Sequence, residues 1–125
     1  MNLSLWSTSF VILLLFTILS CKKADNAPTD SCDCGHPREK TVTGLNGLLY
    51  FNNEVQKFQI DYHIPKTIDS QDSYLLCELP ARIQDEYVSG MRVTFSGVAR
   101  KPCVKPGGFA GQVFYDLALT SIKAD

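Results

Sequence analysis

The sequence predicts a small, mostly β domain with five largely antiparallel strands and one short helix. Three features of the 125-residue chain support this prediction. Residues 57–64 and 91–96 alternate apolar and polar side chains with the period of two that is typical of strands. Asparagine, proline and glycine separate the apolar segments at short intervals. No helical pattern is long enough to connect parallel strands, so the sheet should be mostly antiparallel.

The first three predicted strands occupy the first half of the domain. The segment GLLYFNNEVQ, residues 47–56, contains an apolar run that stops at Asn52-Asn53, a pair that is common in turns. The second strand covers the alternating residues 57–64, and a proline ends it. The third is the short apolar segment SYLLCEL, residues 73–79.

A short helix and two further strands follow. Residues 80–90 begin with a proline, which suits a first helical turn, and end with a glycine, which suits a C-terminal cap. Residues 91–100 alternate again, and Gly97 is placed where a bulge is expected. The last strand, residues 112–123, alternates until Ile122, whose opposite phase predicts a bulge near the strand's end.

This order of elements resembles the OB-fold, a small, partly open barrel of five strands. The resemblance covers residues 41–123 and rests on element order alone. It implies a ligand site on the face of the second and third strands, beside the loop between the last two strands. The candidate ligand face that follows is Gln59, Asp61, His63, Tyr74, Lys101, Lys105 and Phe109. The strand phase also allows Tyr74 to lie in the core, and a small β-sandwich is the alternative fold.

The N-terminal segment resembles the signal peptide of a bacterial lipoprotein. Residues 10–19 are nearly all apolar and carry no charge, but they are fewer than the roughly 20 residues that cross a bilayer. They lead into Ile18-Leu19-Ser20-Cys21, which is similar to the lipobox. The resemblance implies cleavage after Ser20 and lipidation of Cys21, whose acyl chains would hold the protein on a membrane. An uncleaved membrane helix with an incidental cysteine is the alternative.

The predicted organisation is a signal peptide, residues 1–20, a polar flexible tether, residues 21–40, and one domain, residues 41–125. The tether contains almost no large apolar side chain and cannot contribute to a core. The whole chain resembles small lipoproteins of Gram-negative bacteria. That resemblance implies export and anchoring in the cell envelope, at the outer membrane.

The charge of the chain argues against a nucleic acid as the partner. Twelve lysines and arginines oppose 13 aspartates and glutamates, which gives a net charge of -1. Proteins that bind nucleic acids usually carry a basic surface that neutralises phosphates. We therefore expect partners other than nucleic acids.

The cysteines predict disulfides. If Cys21 carries the lipid, Cys32, Cys34, Cys77 and Cys103 remain, an even number in an exported chain. A disulfide between Cys32 and Cys34 would close a very small, strained ring, so we expect one of them to bond Cys77 and the other to bond Cys103. Both arrangements are open, and a single disulfide to Cys77 is a weaker variant.

The motif CDCGHP, residues 32–37, could also be interpreted as a metal site that includes His36. Its one-residue cysteine spacing and the lack of a second pair differ from zinc sites, and it does not match the CxxCH motif of c-type haem. We therefore expect no metal and no cofactor. Asp61 and His63 share a strand face, but no nucleophile motif such as GxSxG accompanies them, so no catalytic residue is predicted.

These observations predict a lipid-anchored, non-catalytic binding module that holds another envelope protein or a glycan near the membrane. One alternative is a structural or stress-related envelope lipoprotein without a small ligand. The other is a small hydrolase or metal-dependent enzyme, which would need His63 and carboxylates to converge in a pocket.

Overall fold

The computed structural model describes residues 34–125, which form a closed five-stranded β-barrel. The elements are β1 (Arg38–Asn52), β2 (Lys57–His63), β3 (Gln71–Leu76), the helix α1 (Ala81–Glu86), β4 (Met91–Arg100) and β5 (Gln112–Ala124). Around the barrel the strand order is β1-β2-β3-β5-β4, and only β3 and β5 pair in parallel. The predicted OB-like barrel is confirmed, and the sandwich alternative is wrong.

The first strand begins within the predicted tether. β1 starts at Arg38, where Arg38 pairs with Arg100 and Lys40 pairs with Ala99 of β4. Lys40 also donates a hydrogen bond to Asp72 of β3, with 2.7 Å between Nζ and Oδ2. This segment is polar, so its sequence carries no strand signal, and its position is set by partners in distant strands. The folded domain therefore starts before residue 41.

The two predicted bulges are one feature of the β4–β5 ladder. Ser96 pairs with Ser121 and Gly97 pairs with Leu119, which leaves Thr120 as an extra residue in β5. The extra residue reverses the strand phase and turns Ile122 into the core, where it is buried. A side chain at Gly97 would clash with the carbonyl of Ala118, so the close approach of the strands requires glycine.

The helix is shorter than predicted. It ends at Glu86, and its C-cap residue is Tyr87, so the prediction that Gly90 caps it is wrong. Gly90 has a φ of +81° and lies in the turn into β4, where its N–H donates to the carbonyl of Leu49. Ile83 is buried and Tyr87 packs against the core, so the helix covers one end of the barrel through these two side chains.

One hydrophobic core fills the barrel. Each large apolar side chain that is fully buried contributes about 1.5–3 kcal/mol to the stability of the fold. The strands supply most of these side chains because alternate residues point inward. The buried core comprises Val42, Leu49, Ile60, Tyr74, Leu76, Leu79, Ile83, Val93, Phe95, Ala99, Leu117 and Ile122.

A disulfide joins Cys34, which precedes β1, to Cys103 in the loop between β4 and β5, across 69 residues of sequence. This bond is one of the two alternatives that the sequence left for Cys34. Cys77 is also disulfide-bonded. Cys32, which remains the predicted partner of Cys77, lies outside the described residues, as do the signal peptide, Ser20 and the predicted lipidation site Cys21.

Candidate ligand-binding face

The candidate site is built on the outward-facing side chains of β1, β2 and β3. Leu48 lies opposite Asp61, and Asp61 lies opposite Ser73, so these three side chains share the outer face of the sheet. Residues two positions apart in a strand share a face. Gln59 and His63 therefore lie on the same outer face as Asp61, as the alternation in the sequence predicts.

A chain of side-chain hydrogen bonds crosses this face. Asn52 Nδ2 donates to Gln59 Oε1 at 2.8 Å, and Gln59 Nε2 donates to Asp61 Oδ1 at 2.6 Å. The hydroxyl of Ser73 donates to the same oxygen of Asp61 at 2.8 Å, and Gln112 Nε2 of β5 donates to that hydroxyl oxygen at 2.7 Å. These bonds hold the polar side chains in place, so a ligand at this face would not have to order them.

An open cleft of about 420 Å³ lies beside this network. It extends past Asp61 and Tyr50 into a shallower depression next to Asn52 and Gln59. The hydroxyl oxygen of Thr94 lies 2.7 Å from a side-chain oxygen of Asn46 and 2.7 Å from one of Asp125, and so orders the rim. The residues lining the cleft are Asn46, Gly47, Leu48, Tyr50, Asp61, His63, Gln71, Arg92 and Asp125.

The cleft offers hydrogen-bonding groups of several kinds. Within residues 34–125, the guanidinium of Arg92, the imidazole of His63 and the hydroxyl of Tyr50 have no hydrogen-bond partner. Arg92 can only donate, the carboxylates of Asp61 and Asp125 accept, and a neutral imidazole can do both. A ligand in the cleft would therefore meet donors and acceptors together with charges of both signs.

Tyr74 lies on the opposite side of β3 from Ser73 and is fully buried in the core. Its ring centroid is 5.4 Å from that of Phe95 and 5.5 Å from that of Tyr115. The strand phase allowed Tyr74 to lie either on the ligand face or in the core. Tyr74 lies in the core and is therefore not part of the ligand face.

The other three predicted residues, Lys101, Lys105 and Phe109, lie exposed on the loop between β4 and β5, residues 101–111. Phe109 borders the polar network, because its N–H donates to Gln112 Oε1 at 3.3 Å. Neither lysine lines the cleft. The loop thus adds one aromatic residue to the edge of the site and leaves its two lysines outside the cleft.

The same loop covers the remaining part of the outer face. The N–H of Cys103 donates to Asp116 Oδ2 at 2.8 Å, and the N–H of Gly107 donates to the carboxylate of Glu54 at 3.1 Å. Beneath the loop, Phe114 and Asp116 of β5 point outward and yet are buried. The outer surface therefore has a covered half under the loop and an open half that contains the cleft.

Arg92 belongs to the site because of strand pairing, and it was not predicted from the sequence as a site residue. Arg92 of β4 lies opposite Leu48 of β1, and Leu48 lies opposite Asp61 of β2. Neighbouring strands are about 4.8 Å apart, so Arg92 and Asp61 face each other across about 10 Å. The alternation in β4 indicated a polar face, but no pattern in the sequence shows that β4 returns to pair with β1.

A second charged cluster lies on the inner side of the barrel. Lys40 Nζ bonds Asp72 and lies 4.3 Å from the centroid of the Tyr115 ring, a cation–π contact. Burial lowers the pKa of Lys40, but hydrogen bonds with Asp72 and Tyr74 outweigh it and raise the pKa above the ordinary lysine value. Burial also raises the pKa of Tyr74, to about 12. Both groups therefore keep their protons at neutral pH, and their contacts tie the start of β1 to β3 and β5.

Residues 34–125 contain no helix with the length and apolar character that crossing a bilayer requires. No family model matches the chain, and no curated protein matches it.

Proposed function

We propose that this chain is an exported, lipid-anchored envelope protein whose barrel binds a glycan and does not catalyse a reaction on it. The observation that carries the proposal is the pre-ordered polar cleft on the outer face of β1 and β2. The lipobox-like residues 18–21 support the anchor. An extended chain covers at most about 3.5 Å per residue, so the segment from Cys21 to Cys34 reaches at most about 45 Å. The cleft would therefore work close to the membrane that holds the lipid.

The mixed chemistry of the cleft favours a ligand rich in hydroxyl groups. A sugar hydroxyl donates one hydrogen bond and accepts others, and the cleft presents both acceptors, such as Asp61, and donors, such as Arg92. The ring of Tyr50 adds an aromatic surface at the junction of the cleft and the depression. A protein partner would favour a larger apolar patch, whereas most of the side chains that line this cleft are polar.

His63 and the carboxylates of Asp61 and Asp125 line the same cleft, as the enzyme alternative requires, but the hydrogen bonds that Asp61 already accepts favour binding over hydrolysis. A general base must reach the proton of a nucleophile. The hydroxyl that contacts Asp61 belongs to Ser73, which is fully buried and already donates within the network. His63 is exposed at the end of β2, where it can contact a ligand in the cleft.

The binding proposal can be tested with the full chain purified in detergent from membranes. Oligosaccharides released from the bacterial envelope would be titrated into the wild-type protein and the Asp61→Asn variant by isothermal calorimetry. Removing a charged acceptor costs about 1.5–3 kcal/mol, so Asp61→Asn should weaken binding at least about tenfold. Asp85→Asn, which changes an exposed aspartate on α1, should bind like the wild type. Absence of binding to every glycan class, or equal losses in the two variants, would count against a glycan site here and favour the structural alternative.

The anchor requires its own measurement. Intact-mass analysis of the protein from the membrane fraction should give a chain that begins at Cys21 and carries acyl groups. Cys21→Ala should keep the signal peptide and lose the lipid mass. An uncleaved wild-type N-terminus, or a Cys21 without acyl mass, would contradict the anchoring proposal and leave the cleft unaffected.

A further inference from the structure

Three metal-ligating side chains converge at the point where the chain enters the domain, and a fourth, His36, lies beside them. Ligand atoms of Cys34, Cys103 and Asp116 all lie within 4.8 Å of one another. His36 Nδ1 lies 3.5 Å from the sulfur of Cys34. Two sulfurs and a carboxylate therefore share one small volume, and the imidazole of His36 lies next to one of the sulfurs. Cys103 and Asp116 are far in sequence from the CDCGHP motif that first suggested a metal.

Local structure holds each of these groups in place. Gly35, with a φ of +87°, turns the chain so that His36 folds back towards Cys34. His36 Nδ1 also lies 3.0 Å from the carbonyl oxygen of Lys101, two residues before Cys103. Asp116 is only 1% exposed and accepts from the N–H of Cys103. The cluster is therefore formed by the entry segment, the covering loop and β5 together.

We propose that Cys34, His36, Cys103 and Asp116 bind a zinc ion when the disulfide is reduced, so that disulfide and zinc site are alternative states of the same side chains. A tetrahedral zinc with Zn–S of about 2.3 Å and Zn–N of about 2.0 Å places sulfur and nitrogen ligands about 3.5 Å apart. The separation between His36 Nδ1 and Cys34 Sγ already has this value. The two sulfurs must move apart to about 3.7 Å, which side-chain rotation after reduction allows.

The conversion is a two-electron reduction followed by metal binding. A thiolate of an external dithiol attacks one sulfur of the Cys34–Cys103 bond, and its second thiol resolves the mixed disulfide. The dithiol is oxidised to its disulfide, while Cys34 and Cys103 gain two electrons and two protons and become thiols. Zinc then displaces both thiol protons to solvent. His36 binds through Nδ1 after giving up its contact with Lys101. Cys34 is exposed, so a dithiol can reach the bond.

This inference is independent of glycan binding, because none of the four residues lines the cleft. A bound zinc would keep the loop of residues 101–111 attached to the entry segment after the disulfide is lost. The covering of Phe114 and Asp116 would then be preserved in both redox states.

The test uses the full chain in detergent, reduced with a phosphine and freed of metal. Zinc should bind the reduced chain and not the oxidised chain, and cobalt(II) should give the absorption of a tetrahedral thiolate site. In alkylation followed by peptide mapping, zinc should slow modification of Cys34 and Cys103 and leave Cys77 as an internal control. His36→Ala should weaken zinc binding by at least about tenfold, because loss of even an outer partner costs 10–100-fold.

His63→Ala, which removes a histidine outside the cluster, is the matched control and should bind zinc like the wild type. A Cys32→Ser variant should also retain the site, since Cys32 is not among the proposed ligands. The proposal is overturned if the reduced chain binds zinc no better than the oxidised chain, or if zinc protects Cys77 as strongly as Cys34. It is likewise overturned if His36→Ala and His63→Ala behave alike, or if the reduced chain unfolds and zinc does not restore its circular dichroism.

Discussion

Alternate side chains of β2 and β3 point to the inside and the outside of the barrel, and the two sets have different surroundings. On the inner side, Ile60 and Tyr74 are fully buried in one continuous apolar core. On the outer side, Gln59, Asp61 and Ser73 are joined by hydrogen bonds, and Asp61 borders an open cleft. Burial therefore does not separate the core from the candidate site in this barrel, since Ser73 is as buried as Tyr74. The distinction needs both the face of the sheet and the position of the covering loop, since Phe114 and Asp116 also point outward but are buried under that loop.

The difference predicts that two tyrosines will respond in opposite ways to truncation. Tyr74→Ala removes a fully buried aromatic ring and should lower the free energy of unfolding by about 3–5 kcal/mol. Tyr50→Ala removes a half-buried ring from the cleft and should cost less than about 1 kcal/mol while weakening glycan binding. Urea unfolding followed by circular dichroism, with calorimetry for binding, measures both effects.

Equal losses of stability in Tyr74→Ala and Tyr50→Ala would contradict the difference drawn between the inner and outer sides. A Tyr74→Ala protein that stays folded but loses binding would also contradict it, because the inner face would then shape the ligand site. Tyr87→Ala provides a further reference, since Tyr87 packs partly against the core and should give an intermediate loss of stability.

A smaller loss of stability should appear at alkaline pH and should involve Lys40 and Tyr74 on the inner side. Burial raises the pKa of Tyr74 to about 12, and hydrogen bonds with Asp72 and Tyr74 raise that of Lys40 in spite of burial. The folded chain thus keeps protons that the unfolded chain releases above about pH 10. The free energy of unfolding should be unaffected by these groups below that pH and should fall as the pH rises towards 12 and beyond.

Urea titrations between pH 8 and pH 12, spaced by about half a unit, would measure this loss. Tyr74→Phe should remove the part due to tyrosine ionisation, and Lys40→Met should remove the part due to the lysine. Because Lys40 is partly exposed, we expect its contribution to be below about 1 kcal/mol. A slope that persists unchanged in the Tyr74→Phe, Lys40→Met double variant would assign the alkaline loss to other groups.

Much of the fold could be predicted from sequence because its signals are local. The alternation around Ile60 and Val93 correctly identified β2 and β4, and the phase change at Ile122 correctly indicated a bulge. The start of β1 lies inside the predicted tether, residues 21–40, because Arg38 and Lys40 carry no apolar signal and are held by partners in β3 and β4. Local composition predicts a strand only where side chains of that strand are apolar and buried in the core.

The candidate site was predictable to a smaller extent. Strand phase correctly placed Gln59, Asp61 and His63 on one face, but the same phase argument left Tyr74 undecided between that face and the core. Arg92 could not be found without the β1–β4 pairing. The positions of Lys101 and Lys105 depended on how a loop of prolines and glycines crosses the barrel, which no short-range pattern specifies.

The sequence by itself determined the phases of β2 and β4, the change of phase at Ile122 and two candidate arrangements of the disulfides. The phases follow from a period of two along one strand, and the disulfide arrangements follow from the cysteine count and from the strain of a Cys32–Cys34 ring. Only the tertiary structure decided that β4 closes on β1, that the loop of residues 101–111 covers half of the outer face, and that Cys34 bonds Cys103 beside His36 and Asp116. These outcomes depend on contacts between residues tens of positions apart, and the free energy of the whole barrel selects among them.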